Sequence, residues 1–222
     1  MSSSIISSTE TRNGLVLGSA VCVALLIITA AYYLTRDQIL DTEHKQLQTH
    51  LAQLLVKDSF DNDPSTDTVL VSDDVLGTNE PMPVYRARAN SKPVAAVITA
   101  VTPAAYNGPI RYLIGLSYSG EIIALRVTKH NETPGLGDDI EAKRSDWIRS
   151  FEQLNPALMA ESQWQVKKDG GQFDQFTGAT ITPRTLVRSV YRVSQWYANN
   201  REALFSNSAS LIIEGNRIKL ME

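Results

Sequence analysis

The sequence predicts an α+β protein: a single N-terminal transmembrane helix followed by a mixed, mainly antiparallel α+β domain. An apolar run without charge lies between Arg12 and Arg36. Short segments rich in β-branched residues then alternate with turns through the middle of the chain. A long segment with apolar residues at helical spacing follows over 183–204. Strands grouped before a helix are typical of the α+β class, in which helices cover an antiparallel sheet.

The apolar run predicts a membrane anchor over 15–35, after a short N-terminal tail at 1–14. A helix of about 20 apolar residues crosses the ~30 Å hydrocarbon layer. A secretory signal is the alternative, but its apolar region usually has only ~7–15 residues. Cys22 lies inside the run and follows bulky Val21, which disfavours a lipoprotein signal. We therefore expect a single-pass helix that stays in the lipid bilayer.

Charge near this span does not fix its orientation. Glu10 offsets Arg12 before the span, and Arg36 and Lys45 follow it. Large domains cross the membrane largely regardless of such charges. The charges therefore do not predict on which side of the membrane the domain lies.

Residues 36–82 are predicted to form a helical stalk and an acidic loop. Apolar residues near helical spacing over 37–56 favour an amphipathic helix that continues from the membrane. Segment 57–83 is rich in Asp, Ser, Thr and Pro, which is typical of loops, with one short strand over 68–72.

Two groups of residues resemble metal sites but lack what a metal requires. The first has the start of a calcium loop, with Asp61, Asn62, Asp63 and Asp67. Thr66 and Ser72 stand where that loop needs a glycine and a chelating glutamate. His44 and His50 lie six residues apart on the predicted stalk, whereas neighbours on one helix face lie three or four apart. We predict a solvated acidic loop and no metal.

The remaining segment, 83–222, is predicted to form the globular domain. Its strands are predicted over 84–89, 94–102, 111–118, 121–128, 164–167 and 210–214. Helices are predicted over 140–153 and 183–204. Ser119 and Gly120 separate the third and fourth of these strands and favour a hairpin turn.

Composition excludes several classes of function. The formal net charge is −3, without the basic footprint that nucleic-acid binding requires. Cys22 is the only cysteine, so the soluble part has neither a disulfide framework nor a thiolate metal cluster. No nucleophile elbow and no zinc-protease motif occurs in the sequence. Redox chemistry would therefore need an organic cofactor, and we expect no independent catalytic activity.

The most informative stretch of the chain is 174–183. Small residues at Gly178 and Ala179 let another group approach the backbone, between two threonine hydroxyls. Thr182, followed by proline, predicts an N-cap, so Thr180 would lie just ahead of a helix N-terminus. Unpaired N–H groups and the helix dipole favour a phosphate at such a place. The residues alone leave open whether this is a phosphate site or an ordinary capped loop.

Two further stretches predict unusual turns. Residues 130–137 read His-Asn-Glu-Thr-Pro-Gly-Leu-Gly and follow a predicted strand. Their proline and glycines favour a turn that presents successive N–H groups to an anion or a ring edge. A dinucleotide fingerprint is excluded because the third glycine is missing. Residues 106–110 read Tyr-Asn-Gly-Pro-Ile and predict another turn.

Together the three stretches resemble the FMN-binding domain shared by the G subunit of the Rnf (Rsx) complex and the C subunit of the Na⁺-translocating NADH:quinone reductase. Asp-x-x-Thr-Gly-Ala-Thr at 174–180 is similar to that family's flavinylation motif, and 132–137 is similar to its Glu-Thr-Pro-Gly-Leu-Gly signature. In that family a dedicated transferase takes FMN from FAD and joins its phosphate to the last threonine of the motif. The resemblance implies FMN attached covalently to Thr180 through a phosphoester. Thr177 and Thr182 are nearby alternatives.

The resemblance also implies which residues surround the cofactor. Around the acceptor, the recognition residues would be Asp174, Thr177, Gly178 and Ala179. On the signature stretch, the candidate flavin contacts are His130, Glu132, Thr133, Gly135, Leu136 and Gly137. His130 and Glu132 could equally be surface groups at a strand end. Arg126 and Lys129 are candidates to offset charge on the phosphate or reduced flavin, while Arg184 and Arg188 could be solvated.

The implied function is electron transfer by covalent FMN within a membrane complex. That complex would couple electron flow between ferredoxin and NAD to the movement of Na⁺ or H⁺. The implied partners are its other subunits, the FMN transferase and the lipid bilayer, with the domain on the periplasmic side of a bacterial inner membrane. The alternatives are the quinone-reductase C subunit and a membrane-anchored assembly or binding protein without flavin.

Overall fold

The computed structural model describes residues 8–206, 211–214 and 217–220. The chain separates into two compact units, Met1–Leu47 and Gln48–Glu222. Residues 1–7 of the predicted tail lie outside the described residues.

The first unit is helical. Helix α1 runs without interruption over Ser8–Leu54. Its part Arg12–Arg36, of 25 residues, is long and apolar enough to cross a membrane by length and composition. The helix predicted over 37–56 is confirmed as far as Leu54, where α1 ends. In the second unit, Leu51 and Leu54 of this helix and the following Leu55 are buried.

A seven-stranded sheet forms the centre of the second unit. The strands are β1 (Thr68–Ser72), β2 (Met82–Ala89), β3 (Lys92–Ala105), β4 (Gly108–Ser117), β5 (Ile122–Lys129), β6 (Leu211–Glu214) and β7 (Arg217–Leu220). Their order is β5-β4-β3-β2-β1-β6-β7, and neighbours are antiparallel except for the parallel pair β1 and β6. The prediction of a mixed, mainly antiparallel α+β fold is confirmed.

Helix α2, over Ile181–Ser206, shares one apolar core with the sheet. Its inward side chains recur at helical spacing, at Leu186, Val190, Val193 and Tyr197. The sheet contributes alternate residues from its central strands, including Val84, Ile98 and Ile114. This packing holds the N-terminus of α2 at a fixed place relative to the loops that leave the strands.

The helix predicted over 140–153 is wrong. Within 130–180, which the structure describes throughout, the helical elements are short 3₁₀ turns, one of them at Trp147–Phe151. Two backbone bonds tie the end of this segment to β5: Gln153 N–H donates to the Ile122 carbonyl, and Ile122 N–H donates to the Leu154 carbonyl, each across 2.8 Å. Gln153 has a φ of +65°, which lies outside the right-handed helical region, so an α-helix cannot continue through this residue.

The strand predicted over 164–167 is also wrong. Val166 forms one isolated bridge with Phe173, and 3₁₀ turns lie on both sides of it. The predicted C-terminal strand is confirmed as β6, although residue 210 lies outside the described residues. Strand β7 was not predicted. The sequence Gly215-Asn216 between β6 and β7 is typical of a hairpin turn and is the signal for it.

The acidic loop before β1 has a structural role. Asp67 pairs with buried Arg86 and, across 2.7 Å, with Arg88. Both arginines also reach the end of α2, where they donate to the carbonyls of Leu204 and Phe205. Asp67 is therefore not solvated as predicted, because it neutralises two arginines that dock the helix on the sheet.

Candidate functional site

The motif at 174–180 contains a β-turn whose tip is exposed. The Ala179 N–H donates to the Phe176 carbonyl across 3.2 Å and closes this turn. Gly178, the third turn residue, has φ of +82°, as a type II turn requires. Thr177 and Gly178 are exposed at the tip. The motif therefore forms a loop of small residues at the surface.

Thr180 lies at the N-terminus of α2, as predicted. The helix begins at Ile181, and the Arg184 N–H donates to the Thr180 carbonyl across 3.3 Å. Thr180 thus occupies the N-cap position, and the prediction that Thr182 is the N-cap is wrong. The Thr182 side chain instead points into the protein and bonds to another loop. The N–H groups of the first turn and the positive end of the helix dipole therefore lie next to Thr180.

The three threonines of this region differ in access. Thr177 is exposed and Thr180 is half-buried. Thr182 is buried, and its hydroxyl donates to Oε2 of Glu132 across 2.6 Å. A hydroxyl that is enclosed and already hydrogen-bonded is not open to an enzyme. Thr180 and Thr177 are the accessible acceptors.

Glu132 joins the three stretches that the sequence singles out. Its Oε2 accepts from Thr182, and its Oε1 accepts from the backbone N–H of Asn107 across 3.0 Å. The side chain is buried. Gly137 allows this arrangement, since a Cβ there would lie 2.6 Å from Glu132 Oε2 and 3.2 Å from Thr182 Oγ1. The turn at 106–110, the signature stretch and the start of α2 meet at one carboxylate.

An apolar surface lies beside the motif turn. A Cβ on Gly178 would lie 3.5 Å from Cδ2 of Leu136, so this leucine packs against the turn. Leu136 and Ile181 are each 45% exposed. Exposed aliphatic side chains next to an acceptor hydroxyl suit a flat aromatic group better than a polar one.

The N–H groups of the signature stretch are already paired within the protein. Leu136 and Gly137 both donate to the Thr133 carbonyl across 3.1 Å, and Gly135 donates to Oδ1 of Asp138 across 2.7 Å. The prediction that these successive N–H groups face an anion is therefore wrong. The stretch folds back on itself because the buried Asp138 carboxylate and a local carbonyl satisfy its donors.

His130 is held within the same stretch. Its Nδ1 accepts from the Glu132 N–H across 3.1 Å, which assigns the ring proton to Nε2. Nε2 lies 2.8 Å from Oε1 of Glu141, to which it donates. The imidazole thus connects the loop to the following 3₁₀ turn.

The four candidate cations have different surroundings. Arg184 forms a two-bond pair with Asp169, at 2.5 and 2.8 Å. This hydrogen bonding lowers the pKa of the Asp169 carboxyl and raises the pKa of the Arg184 guanidinium. Arg126 lies 3.8 Å from a carboxylate oxygen of Glu152. Two of the four are exposed, Lys129 and Arg188.

Trp147 anchors the start of the motif, a role that the sequence does not reveal. Its Nε1–H donates to the Asp174 carbonyl across 2.8 Å. Its ring packs edge-to-face on Phe176 and Phe151, with centroids 5.0 and 5.3 Å apart. The Asp174 side chain lies outside, 2.6 Å from the Lys167 ammonium. No local pattern connects Trp147 with a motif 27 residues further along.

The site lies within a known class of domain. The family described as the FMN-binding domain matches residues 105–195. This range contains the signature stretch, the motif and the first half of α2, and it begins at the end of β3.

Full-length relatives give the particular family. The G subunit of the ion-translocating oxidoreductase complex of Vibrio atlanticus (strain LGP32) is 43% identical over 195 residues, covering 88% of this chain and 93% of that protein. The G subunit of the same complex from Shewanella baltica (strain OS223) is 42% identical over 193 residues, covering 86% and 91%. The chain belongs to the family of G subunits of ion-translocating oxidoreductase complexes. The resemblance predicted from the three stretches is confirmed.

The crystal structure of Shewanella oneidensis NqrC is a more distant likeness. It is 18% identical, with a TM-score of 0.41, and covers 66% of this chain and 73% of that one. The assignment to the family depends on the full-length relatives.

Proposed function

We propose that this chain is the FMN-carrying electron-transfer subunit of an ion-translocating oxidoreductase complex. The observation that carries this proposal is the exposed small-residue turn that leads into the N-terminus of α2, inside the range that the FMN-binding family matches. Membership of the G-subunit family favours this function over the quinone-reductase C subunit. The same membership favours electron transfer over the role of an anchored assembly protein without flavin.

FMN would be attached to Thr180 through a phosphoester. The half-buried Thr180 hydroxyl is at the N-cap, where the first-turn N–H groups and the helix dipole stabilise a phosphate. The burial of Thr182 argues against that alternative, and exposed Thr177 is the remaining one. In the reaction, the Thr180 oxygen displaces AMP from the FMN phosphorus of FAD and loses its proton. The FMN transferase supplies this step.

The chain's own residues would position the cofactor, and bound FMN would supply the electron chemistry. Leu136 and Ile181 offer an apolar surface beside the acceptor for the ring. Asp174, Thr177, Gly178 and Ala179 remain the proposed recognition residues for the transferase. His130, Thr133, Gly135 and Gly137 remain proposed as the loop that lies against the flavin. Glu132 belongs to the same loop, but its buried carboxylate is bonded to Asn107 and Thr182, which supports a role in holding the loop rather than the flavin contact that the resemblance implies.

Covalent flavin is tested by intact-mass analysis of the full chain produced together with its transferase. The expected result is a mass increase of one FMN less one water. Thr180→Ala should abolish the increase, whereas the matched control Thr128→Ala, at an exposed threonine outside the motif, should keep it. Because Thr180 is the N-cap of α2 and lies outside the core, its replacement by alanine should lower the free energy of unfolding by no more than about 2 kcal/mol and leave the domain folded. Flavin that persists in Thr180→Ala and disappears in Thr177→Ala would move the attachment to Thr177.

The domain would lie in the periplasm, held by the Arg12–Arg36 helix in the inner membrane. A covalent bond suits that location, because lost FMN could not be replaced from the cytosol. Protease added to intact spheroplasts should remove the domain and leave a cytosolic control protein uncut. A domain cleaved only after lysis would place it in the cytosol instead.

The complex would couple electron flow between ferredoxin and NAD to movement of Na⁺ or H⁺. Purification through this subunit should recover the other subunits and an activity that reduces NAD with reduced ferredoxin. Recovery of NADH-to-quinone activity in its place would support the C-subunit alternative.

A further inference from the structure

Glu132 is buried and has both carboxylate oxygens bonded to other segments. We infer that Glu132 is a positioning residue, which holds the start of α2 in place so that Thr180 can be modified and its cofactor kept oriented. This inference depends on the proposed attachment at Thr180. Glu132 thereby acts through Thr182 and not by touching the flavin.

The hydrogen bonds themselves give the first argument. Oε2 accepts a hydrogen bond from the hydroxyl of Thr182, which lies two residues after Thr180 and 50 positions after Glu132 in the chain. Oε1 accepts a hydrogen bond from the backbone N–H of Asn107, in the turn between β3 and β4. Hydrogen bonds to a charged group are short and strong, and here they fix the first turn of α2 to the sheet. A carboxylate next to a helix N-terminus also has a favourable interaction with the helix dipole.

The close contact of the two loops gives the second argument. Gly137 leaves space for the Glu132 and Thr182 oxygens. A Cβ at this position would lie 2.6 Å from Glu132 Oε2 and 3.2 Å from Thr182 Oγ1. The neighbouring Leu136 packs on Gly178 of the motif turn. The motif is therefore held on the signature stretch by one polar contact after Thr180 and one apolar contact before it. The transferase would meet Thr180 in a fixed geometry.

Four variants test this role. Glu132→Ala leaves the Asn107 N–H and the buried Thr182 hydroxyl without their acceptor. The initial rate of FMN transfer from FAD should fall by about tenfold, because the start of α2 is then less often in the position in which Thr180 can be modified. Glu132→Gln should retain most of the rate, because its amide oxygen can accept from Asn107 while its NH₂ donates to the Thr182 oxygen. Thr182→Val should lose rate as Glu132→Ala does, and Thr182→Ser should retain it.

A control separates positioning from general stability. Val193→Ala removes core volume from the same helix, three turns away from the site, and should lower the unfolding temperature while the transfer rate stays at the wild-type value. The second readout needs no flavin. It is the rate of hydrogen exchange at the Arg184 amide, whose N–H donates to the Thr180 carbonyl. Exchange should accelerate in Glu132→Ala and Thr182→Val and stay near wild type in Glu132→Gln.

The outcomes separate the two proposals. If the wild-type chain accepts no flavin, the proposed function fails, and Arg184 exchange alone decides whether Glu132 holds the helix start. If the wild-type chain is modified and Glu132→Ala is modified equally fast, the positioning role is overturned. Unchanged Arg184 exchange in both Glu132→Ala and Thr182→Val would overturn it as well. Should Glu132→Ala fail to fold, the transfer rates of Thr182→Val and Thr182→Ser decide. A slower rate in Thr182→Val alone supports the positioning role, and equal rates overturn it.

Discussion

Replacing Trp147 with phenylalanine is expected to loosen the turn in the motif at 174–180. The indole Nε1–H donates to the Asp174 carbonyl across 2.8 Å at an exposed place. Phenylalanine removes this bond but keeps an aromatic ring against Phe176, which now lies 5.0 Å from the indole by centroids. The motif should open more often while the domain stays folded.

The size of the effect follows from the contacts that are lost. A net hydrogen bond contributes ~0.5–1.5 kcal/mol, so Trp147→Phe should lower the local opening free energy by about 1 kcal/mol. That corresponds to opening about fivefold more often. Trp147→Ala also loses two edge-to-face contacts, each ~0.5–1.5 kcal/mol. Its total of about 2–4 kcal/mol predicts at least about 30-fold more frequent opening.

Hydrogen exchange at the Ala179 amide measures this opening, because that N–H closes the turn on Phe176. Trp196→Phe is a matched control, since Trp196 also donates its indole N–H, to Asp73, but at a site away from the motif. It should leave exchange at Ala179 unchanged. Equal exchange in wild type and in both Trp147 variants would refute an anchoring role for the indole.

Three further predictions concern the stability of the domain. Asp67→Asn removes the carboxylate that pairs with buried Arg86 and with Arg88, and should lower the free energy of unfolding by about 3 kcal/mol, or roughly 6–12 °C in thermal unfolding, whereas Asp63→Asn, on the exposed loop, should have little effect. Burial, together with two nearby cations, lowers the pKa of His50 below 6.5, so the unfolded chain binds the proton more readily. The free energy of unfolding should therefore decrease as the pH falls below about 6.5, and denaturant titrations should show a smaller decrease in His50→Gln. Tyr112→Phe removes a buried hydroxyl that lies 2.8 Å from a serine hydroxyl of α2, and denaturant unfolding should show a loss of about 1 kcal/mol; no loss would contradict a stabilising role for this bond.

Local sequence patterns predicted most of the fold. Strands β1 to β5 and helix α2 lie where hydrophobic period and turn residues place them, with ends that differ by at most three residues. The apolar helix and the Ser119-Gly120 turn were also predictable, because length and residue type are local properties. The elements that failed lie between β5 and α2. There, short 3₁₀ turns such as Trp147–Phe151 take the place of the predicted α-helix, and backbone bonds from Gln153 and Leu154 to Ile122 tie the end of the segment to β5.

The motif and its place before a helix could be read from the sequence, since small residues, threonines and a proline are a local pattern. The choice among its threonines could not. Thr182 resembles a cap residue in sequence, but its hydroxyl is buried on Glu132, a partner 50 positions earlier. The N–H groups of Gly135 to Gly137 resemble an anion site in sequence. In the structure they donate hydrogen bonds to the Thr133 carbonyl and the Asp138 carboxylate.

Local patterns were enough to predict an apolar helix, a mainly antiparallel domain and a threonine next to a helix start. They could not show that Thr182 is enclosed while Thr177 and Thr180 are accessible. Burial and the pairing of polar groups depend on segments that are distant in the chain. Glu132, Asn107 and Thr182 become neighbours only when the two loops and the helix meet.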